Sequence, residues 1–404
     1  MPEESLAAGG GEELLQRLLA DVHRTAPMGL PSLVDRYAAR IGMERVVIYL
    51  VDLQQRWLTA LSGEDKLLVD SSMAGWAYRA LTLRVEETRT EGMIVWLPLV
   101  DGEERLGVIA CYTRSLDTAR LRRLRTLASV LAMAITSKRA FSDRFVEQSR
   151  TETMSLPAEM VRALLPPRTI GGDRVVSTAV LEPAYELGGD AFDHALTEST
   201  LHVVILDAMG HDLASGLTTA IAMAGCRSTR RMGGGLRELV TTVDDVLAEW
   251  LPDQFCTGIV AELDLTAGVL KWCNGGHPPP LLIRDHKVLD RALERPGEPP
   301  MGMPAKLAGT PREVHRMALE PGDRVLLYTD GVTEARLANG PQFGLEQFSD
   351  YIIRATAAGE LTAEALRRLM HSILEHHEDA LNDDATILLI EWRGPDGQPS
   401  TGPG

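Results

Sequence analysis

The chain has 404 residues, 45% of them hydrophobic and 24% charged, too many for one ordinary core, so two globular domains are expected. A formal net charge of -16 sets it against nucleic acid and anionic membrane surfaces, leaving proteins or small molecules as partners. The four cysteines, Cys111, Cys226, Cys256 and Cys273, lie far apart with no C-x-x-C pair, which excludes a zinc ribbon or a disulfide framework and fits buried, reduced thiols.

In chain order, the start MPEESLAAGGGEE is acidic and small, unlike a secretory signal. Its Gly9-Gly10-Gly11 run, like Gly233-Gly234-Gly235 later, lacks a following G-K-[ST] and reads as linker rather than phosphate loop. ELLQRLLADV and LPSLVDRYAARIG have helical spacing, ERVVIYLVD and RWLTALS read as strands, and GMIVWLPLVDGEERLGVIACYTR reads as a hairpin around Asp101-Gly102. A helix from LDTARLRRLRTLASVLAMAITSKRAFSDRF follows, carrying Leu124, Leu127, Leu131, Ile135, Phe141 and Phe145. Beyond Lys138 nothing in its own domain is left for this stripe to cover, so its later turns are expected to form an inter-domain or dimer helix. Its most apolar run, LASVLAMAIT, is far short of the roughly 20 residues that span a bilayer, and a cytoplasmic protein is expected. Pro157 and Pro166-Pro167 interrupt and end the helical stretch.

From Arg174 the texture changes to repeated strands: RVVSTAVLEP, ELGGDAFDHAL, LHVVILDAMG, CTGIVAELDL, GVLKWCNGG, PPLLIRD, REVHRMAL, DRVLLYTDG and ATILLIEW. Two helical blocks interrupt them, LASGLTTAIAMAGCRSTRRM with LRELVTTVDDVLAEWL, and FGLEQFSDYIIRA with TAEALRRLMHSILEHH. Hairpin-joined strands with helices gathered in pairs indicate an α+β class and a largely antiparallel sandwich. The tail RGPDGQPSTGPG, rich in Gly and Pro, is expected to be disordered.

Acids fall at the ends of four of these strands: Asp190 in GGDAFD, Asp207 in VVILDAMGHD, Asp330 in VLLYTDG, and Asp383 with Asp384 in NDDATILLI. Each alone is an ordinary turn former. Together they would repel one another at one sheet rim unless cations sat between them. Oxygen donors without histidine pairs or cysteines select hard ions, Mg²⁺ or Mn²⁺. Two such ions sharing a carboxylate would hold and activate a water for attack at phosphorus.

The order GGDAFD, DAMGHD, CNGGHPPPLLI, YTDGVTEAR and DDATILLI resembles the SpoIIE-like branch of the metal-dependent serine/threonine phosphatases, the type 2C superfamily, over about residues 170–393. The resemblance implies a β-sandwich flanked by helix pairs with a binuclear site at one end. It implies that Asp190 binds metal or a metal-bound water, that Asp207 bridges two Mn²⁺ or Mg²⁺ ions, and that Ala208 offers its carbonyl. Asp330 and Asp383 would complete the second ion's shell, with Asp384 the alternative to Asp383. Asp193 has no clear counterpart. Where the family usually has Gly-His-Gly, Asp212 follows Gly210-His211 and reads as a helix N-cap. His211 and His277 are weighed as acids for the leaving serine oxygen against plain turn residues.

Residues 12–140 resemble a GAF-type sensor domain in element order, with a small-ligand sensor and a ligand-free docking and dimer module both open. The expected layout is therefore a GAF-like domain at 12–140, a helical linker at 141–169, a phosphatase domain at 170–393 and a tail at 394–404. The implied function is dephosphorylation of a phosphorylated protein, such as an anti-sigma-factor antagonist, by a homodimer joined through the linker helix. The alternative is a catalytically inactive phosphatase fold that binds a phosphoprotein. Retention of all the expected acids favours the enzyme, and a cyclase or kinase would need a phosphate-cradling loop.

Overall fold

Alternation of side chains around an all-apolar run makes RVVIYLV a strand buried on both faces, and it is the centre of the first sheet. That sheet holds β1 (Arg45–Val51), β2 (Trp57–Ala60), β3 (Lys66–Leu68), β4 (Arg84–Glu87), β5 (Met93–Asp101) and β6 (Glu104–Thr113), all antiparallel in the order β3-β2-β1-β6-β5-β4. Val46, Ile48 and Leu50 face helices Leu30–Arg40 and Thr118–Arg139, while Val47, Tyr49 and Val51 face a shorter helix, Met73–Ala80. This period-two division explains why β1 shows no polar face. The computed structural model describes residues 16–88, 92–210, 212–303, 312–334, 345–376 and 383–397. Gly9-Gly10-Gly11, His211 and the last seven residues of the expected tail lie outside them.

The chain divides into two compact units, one up to Thr151 and one from Glu152. This changes the reading of the long helix. It stops at Arg139, and a short helix, Asp143–Gln148, follows. Leu124, Leu127, Leu131, Ile135 and Phe145 are all buried in the first unit's own core, and Phe141 alone of the stripe is exposed. The Gln148 side-chain amide donates to the Ala60 carbonyl at 2.6 Å, and Leu53 N–H donates to the Ser149 carbonyl at 3.0 Å. The break at 140–142 lets Phe145 reach apolar surface that a straight helix would carry it past. The expected linker 141–169 is thus shared out, since helix Leu156–Leu164 belongs to the second unit. Pro157 sits in that helix's first turn, where its missing N–H costs nothing, and the Ser155 hydroxyl caps Ala158 N–H at 3.3 Å. It starts a helix rather than breaking one.

The second unit is built on two antiparallel sheets. One contains β9 (Asp190–Leu196), β10 (Thr200–Ala208), β11 (Cys256–Asp264), β12 (Val269–Gly275) and β15 (His315–Ala318), in the order β15-β12-β11-β10-β9. The other contains β7 (Thr169–Gly171), β8 (Val175–Glu182), β13 (Leu281–Arg284), β14 (Lys287–Leu289), β16 (Arg324–Tyr328) and β17 (Ala385–Trp392), in the order β14-β13-β16-β17-β8-β7. Leu388 and Ile390 of β17 point into the core shared with the β15-β12-β11-β10-β9 sheet and helices Leu213–Arg231 and Leu236–Trp250. Ile387 and Leu389 point the other way, onto helices Leu345–Ala357 and Thr362–His376. The result is helix pair, sheet, sheet, helix pair, as the strand and helix pattern predicts. The short edge strands β7 and β14, and β3, β4 and helix Met73–Ala80 in the first unit, were not legible in the sequence.

Candidate metal centre

The strand registers bring the acids to one end of the sandwich. Asp190 opens β9 directly opposite Asp207 near the end of β10, so two carboxylates face each other across neighbouring strands. From the other sheet, Asp330 lies just past β16, and Asp383 and Asp384 just before β17. Asp330 and Asp383 are exposed, Asp207 is half-buried, and Asp190 and Asp384 are buried.

Burial, followed by the charges of Asp330, Asp383 and Asp384, pushes the Asp207 carboxyl up to about 7. Among the described residues, the charges that shift it are all negative. Asp190 is raised well above the usual carboxylate range by burial and by Asp207 and Asp384, against the pull of two hydroxyl donors. Those donors are Thr329 Oγ1, 2.7 Å from Asp190 Oδ2, and Thr386 Oγ1, 2.6 Å from the same oxygen. Both threonines stand inside quoted motifs, Thr329 as the first residue of TDG and Thr386 directly after DDA, yet neither was read as part of the site.

Asp384 has a defined task. Its Oδ2 accepts the backbone N–H groups of Gly188 at 2.8 Å, Gly189 at 2.7 Å and Asp190 at 3.1 Å, tying the second sheet to the turn that enters the first. Asp383 Oδ1 accepts the Asp384 N–H at 2.8 Å. Gly189 is also held by the Thr219 hydroxyl, which donates to its carbonyl. A side chain at Gly189 would collide with the Ala208 carbonyl, so this position admits glycine alone. The Ala208 carbonyl, at the end of β10, thus lies against Gly189.

Asp193 stands apart from this cluster. It is buried and accepts from Arg227 Nη2 at 2.6 Å and Arg230 Nη1 at 2.8 Å, both on helix Leu213–Arg231. Arg227 also donates to the Leu164 carbonyl at 2.7 Å. Asp212 caps the same helix, accepting Ser215 N–H at 3.0 Å. His277 is buried, and that burial pushes it down to about 3, which disfavours the imidazolium that an acid for the leaving group would need.

Among the described residues, no group of three or more His, Cys, Asp or Glu side chains is arranged to hold a metal ion. The donor set nevertheless fits hard cations in its chemistry: oxygen atoms throughout, and a half-buried carboxylate surrounded by negative charge. A cation is the charge that the cluster lacks.

Two sheets between helix pairs, with acids from both sheets gathered at one end, are the architecture of the metal-dependent type 2C phosphatase class. Residues 197–393 match the family described as Stage II sporulation protein E (SpoIIE), and the second unit is a SpoIIE-family domain. Over 228 residues the chain is 25% identical to phosphoserine phosphatase RsbP of Bacillus subtilis, a match covering 55% of this chain and 53% of RsbP. It is 21% identical over 252 residues to phosphoserine phosphatase RsbU of the same organism, covering 61% of this chain and 72% of RsbU. The chain therefore spans about half the length of RsbP. Among solved structures, the RsbU and RsbW domains of Rv1364c from Mycobacterium tuberculosis align with a TM-score of 0.46 at 25% identity, covering 57% of this chain and 63% of that one. No helix among the described residues is long and apolar enough to cross a membrane.

Proposed function

We propose that the second unit is a Mn²⁺- or Mg²⁺-dependent phosphoserine/phosphothreonine protein phosphatase that acts on a phosphoprotein of the anti-sigma-factor-antagonist kind. The observation that carries this reading is the meeting of Asp190, Asp207, Asp330 and Asp383 from the ends of both sheets, with Asp207 raised to about 7 by burial and by its acidic neighbours. The printed names of RsbP and RsbU, both phosphoserine phosphatases, support it.

In this reading Asp190, Asp207 and the Ala208 carbonyl from one sheet, with Asp330 and Asp383 from the other, would hold the ions. Asp384 holds the Gly188–Asp190 turn that sets where Asp190 stands. When bound, the ions would supply an activated water and neutralise the phosphoryl oxygens. Thr329 and Thr386 fix the Asp190 rotamer and favour its ionised form by donating to it. The turn at Gly189, clamped by Asp384 and Thr219, keeps these oxygens from relaxing apart under their own repulsion.

The first unit we assign as a GAF-like sensor regulating this activity in the cytoplasm. A homodimer would form through exposed Phe141 rather than through the buried stripe. The test is phosphate release from a serine-phosphorylated anti-sigma-factor antagonist by the full chain, with Mn²⁺ and with excess chelator. Release that depends on Mn²⁺ is expected; equal release in chelator, or none in either, defeats the proposal.

A further inference from the structure

The motif CNGGHPPPLLI lies where the chain leaves β12 in one sheet and crosses to β13 in the other. The crossing is stapled to itself. Asn274 Oδ1 accepts the His277 N–H at 2.7 Å, and Asn274 Nδ2 donates to the His277 carbonyl at 2.8 Å. Gly276, at a φ of 74°, runs beside Gly258 of β11, and a side chain there would strike Pro300. The His277 ring is thereby held in the interior. Its Nδ1 lies 2.9 Å from Thr257 Oγ1, and Thr257 is the residue directly opposite Asp207 in the β10–β11 ladder. Directly opposed residues of an antiparallel pair share a face, so the hydroxyl stands on the face of the Asp207 carboxylate. The ring's Nε2 is buried without a close hydrogen bond, and the backbone of Tyr328, at the end of β16, acts on the imidazole. Tyr328 precedes Thr329, which donates to Asp190, and Asp330.

Resting on the phosphatase reading above, we infer that His277, with Thr257, is a positioning residue that sets the spacing between the Asp207 strand and the Thr329–Asp330 segment, and so the fit of the acid cluster to its ions. The ring acts as a strut between Thr257, paired with Nδ1, and the Tyr328 backbone of the other sheet. It touches neither substrate nor reacting atoms. Groups that orient metal-binding side chains from behind commonly change metal affinity by about 10- to 100-fold when removed. Thr257 is the sharper probe, because valine keeps its shape without the hydroxyl and serine keeps the hydroxyl.

The experiment measures Mn²⁺ binding to the metal-free full chain by calorimetry, alongside thermal melting and kcat and KM for p-nitrophenyl phosphate. Thr257→Val and His277→Ala are expected to weaken Mn²⁺ binding about tenfold, with Thr257→Ser close to wild type and the Thr257→Val melt unchanged. Saturating Mn²⁺ should recover most of the lost kcat in Thr257→Val. Wild-type Mn²⁺ affinity in Thr257→Val overturns the inference, whatever His277→Ala does to folding. A wild-type chain that binds no Mn²⁺ overturns the phosphatase reading as well; a wild type that binds Mn²⁺ beside indifferent variants overturns the strut alone.

Discussion

One oxygen of Asp384 accepts three backbone amides of the Gly188–Asp190 turn, while exposed Asp383 adds its charge to those around Asp207. The two neighbours should therefore separate by assay. Asp383→Asn is expected to lower Mn²⁺-dependent phosphate release by roughly 10²-fold with an unchanged melting temperature. Asp384→Ala should cost about 2 kcal/mol or more of stability, since it strands buried amides, and melting will show it. Equal behaviour of the two in both assays would mean the roles are misassigned. His194 gives a pH dependence remote from the acids. Its Nδ1 meets Ser177 Oγ at 3.0 Å, its Nε2 meets the Pro167 carbonyl at 2.8 Å, and burial pushes it down to about 4. The unfolded chain, with an ordinary histidine, takes up a proton before the folded one does. The stability is thus fully present above about pH 6.5 and is lost as pH falls from there to about 4, by about 3 kcal/mol. Chemical denaturation at pH 7 and pH 4.5 should show this loss, and His194→Gln should reduce it.

Two of the contacts that helix Leu213–Arg231 makes within the second unit are unlike. Gly216 lies against Pro157 and Met160 of helix Leu156–Leu164, with 3.2 Å from an added Cβ to the Met160 methyl, so the two helices approach closely. Eleven residues on, Arg227 and Arg230 close on Asp193 of β9. A buried acid between two arginines is a poor source of net stability but costly to break, because removing the acid leaves two cations unmatched. Asp193→Ala is expected to destabilise the unit by about 3–5 kcal/mol, whereas replacing all three residues by apolar ones should recover much of that loss. Denaturant unfolding decides it; a loss below about 1 kcal/mol in the single variant would show that the ion pairs contribute little. Met160→Ala, at the close contact, should change the hydrolysis rate while the unit stays folded.

Each unit of the chain has its own core, with the acid cluster wholly inside the second. A fragment beginning at Glu152 should fold and hydrolyse p-nitrophenyl phosphate with Mn²⁺, and failure to fold would show that the second core is incomplete alone. The buried stripe from Leu124 to Ile135 makes Ile135→Asp a core defect rather than a probe of dimerisation. Exposed Phe141 remains the useful position. Phe141→Asp should shift sedimentation of the full chain toward monomer without lowering its melting temperature.

The longer strands, the helix pairs and the placing of five acids beside apolar runs were legible in the sequence, because alternation, helical spacing and an acid ending an apolar run are local properties. The α+β class and the SpoIIE resemblance followed from them. The partners of those acids were not legible. Asp190 meets Thr329 and Thr386 across 139 and 196 residues of chain, and Asp384 reaches Gly188 across 196. Likewise, a stripe of leucines has the same spacing whether it covers its own sheet or a second copy, and the break after Arg139 that buries Phe145 depends on apolar surface supplied from elsewhere in the unit. Which residues carry charge at the sheet ends is written locally; which hydroxyl, amide or arginine meets each charge is decided when the two sheets pack, because only packing sets distances between segments far apart in the chain.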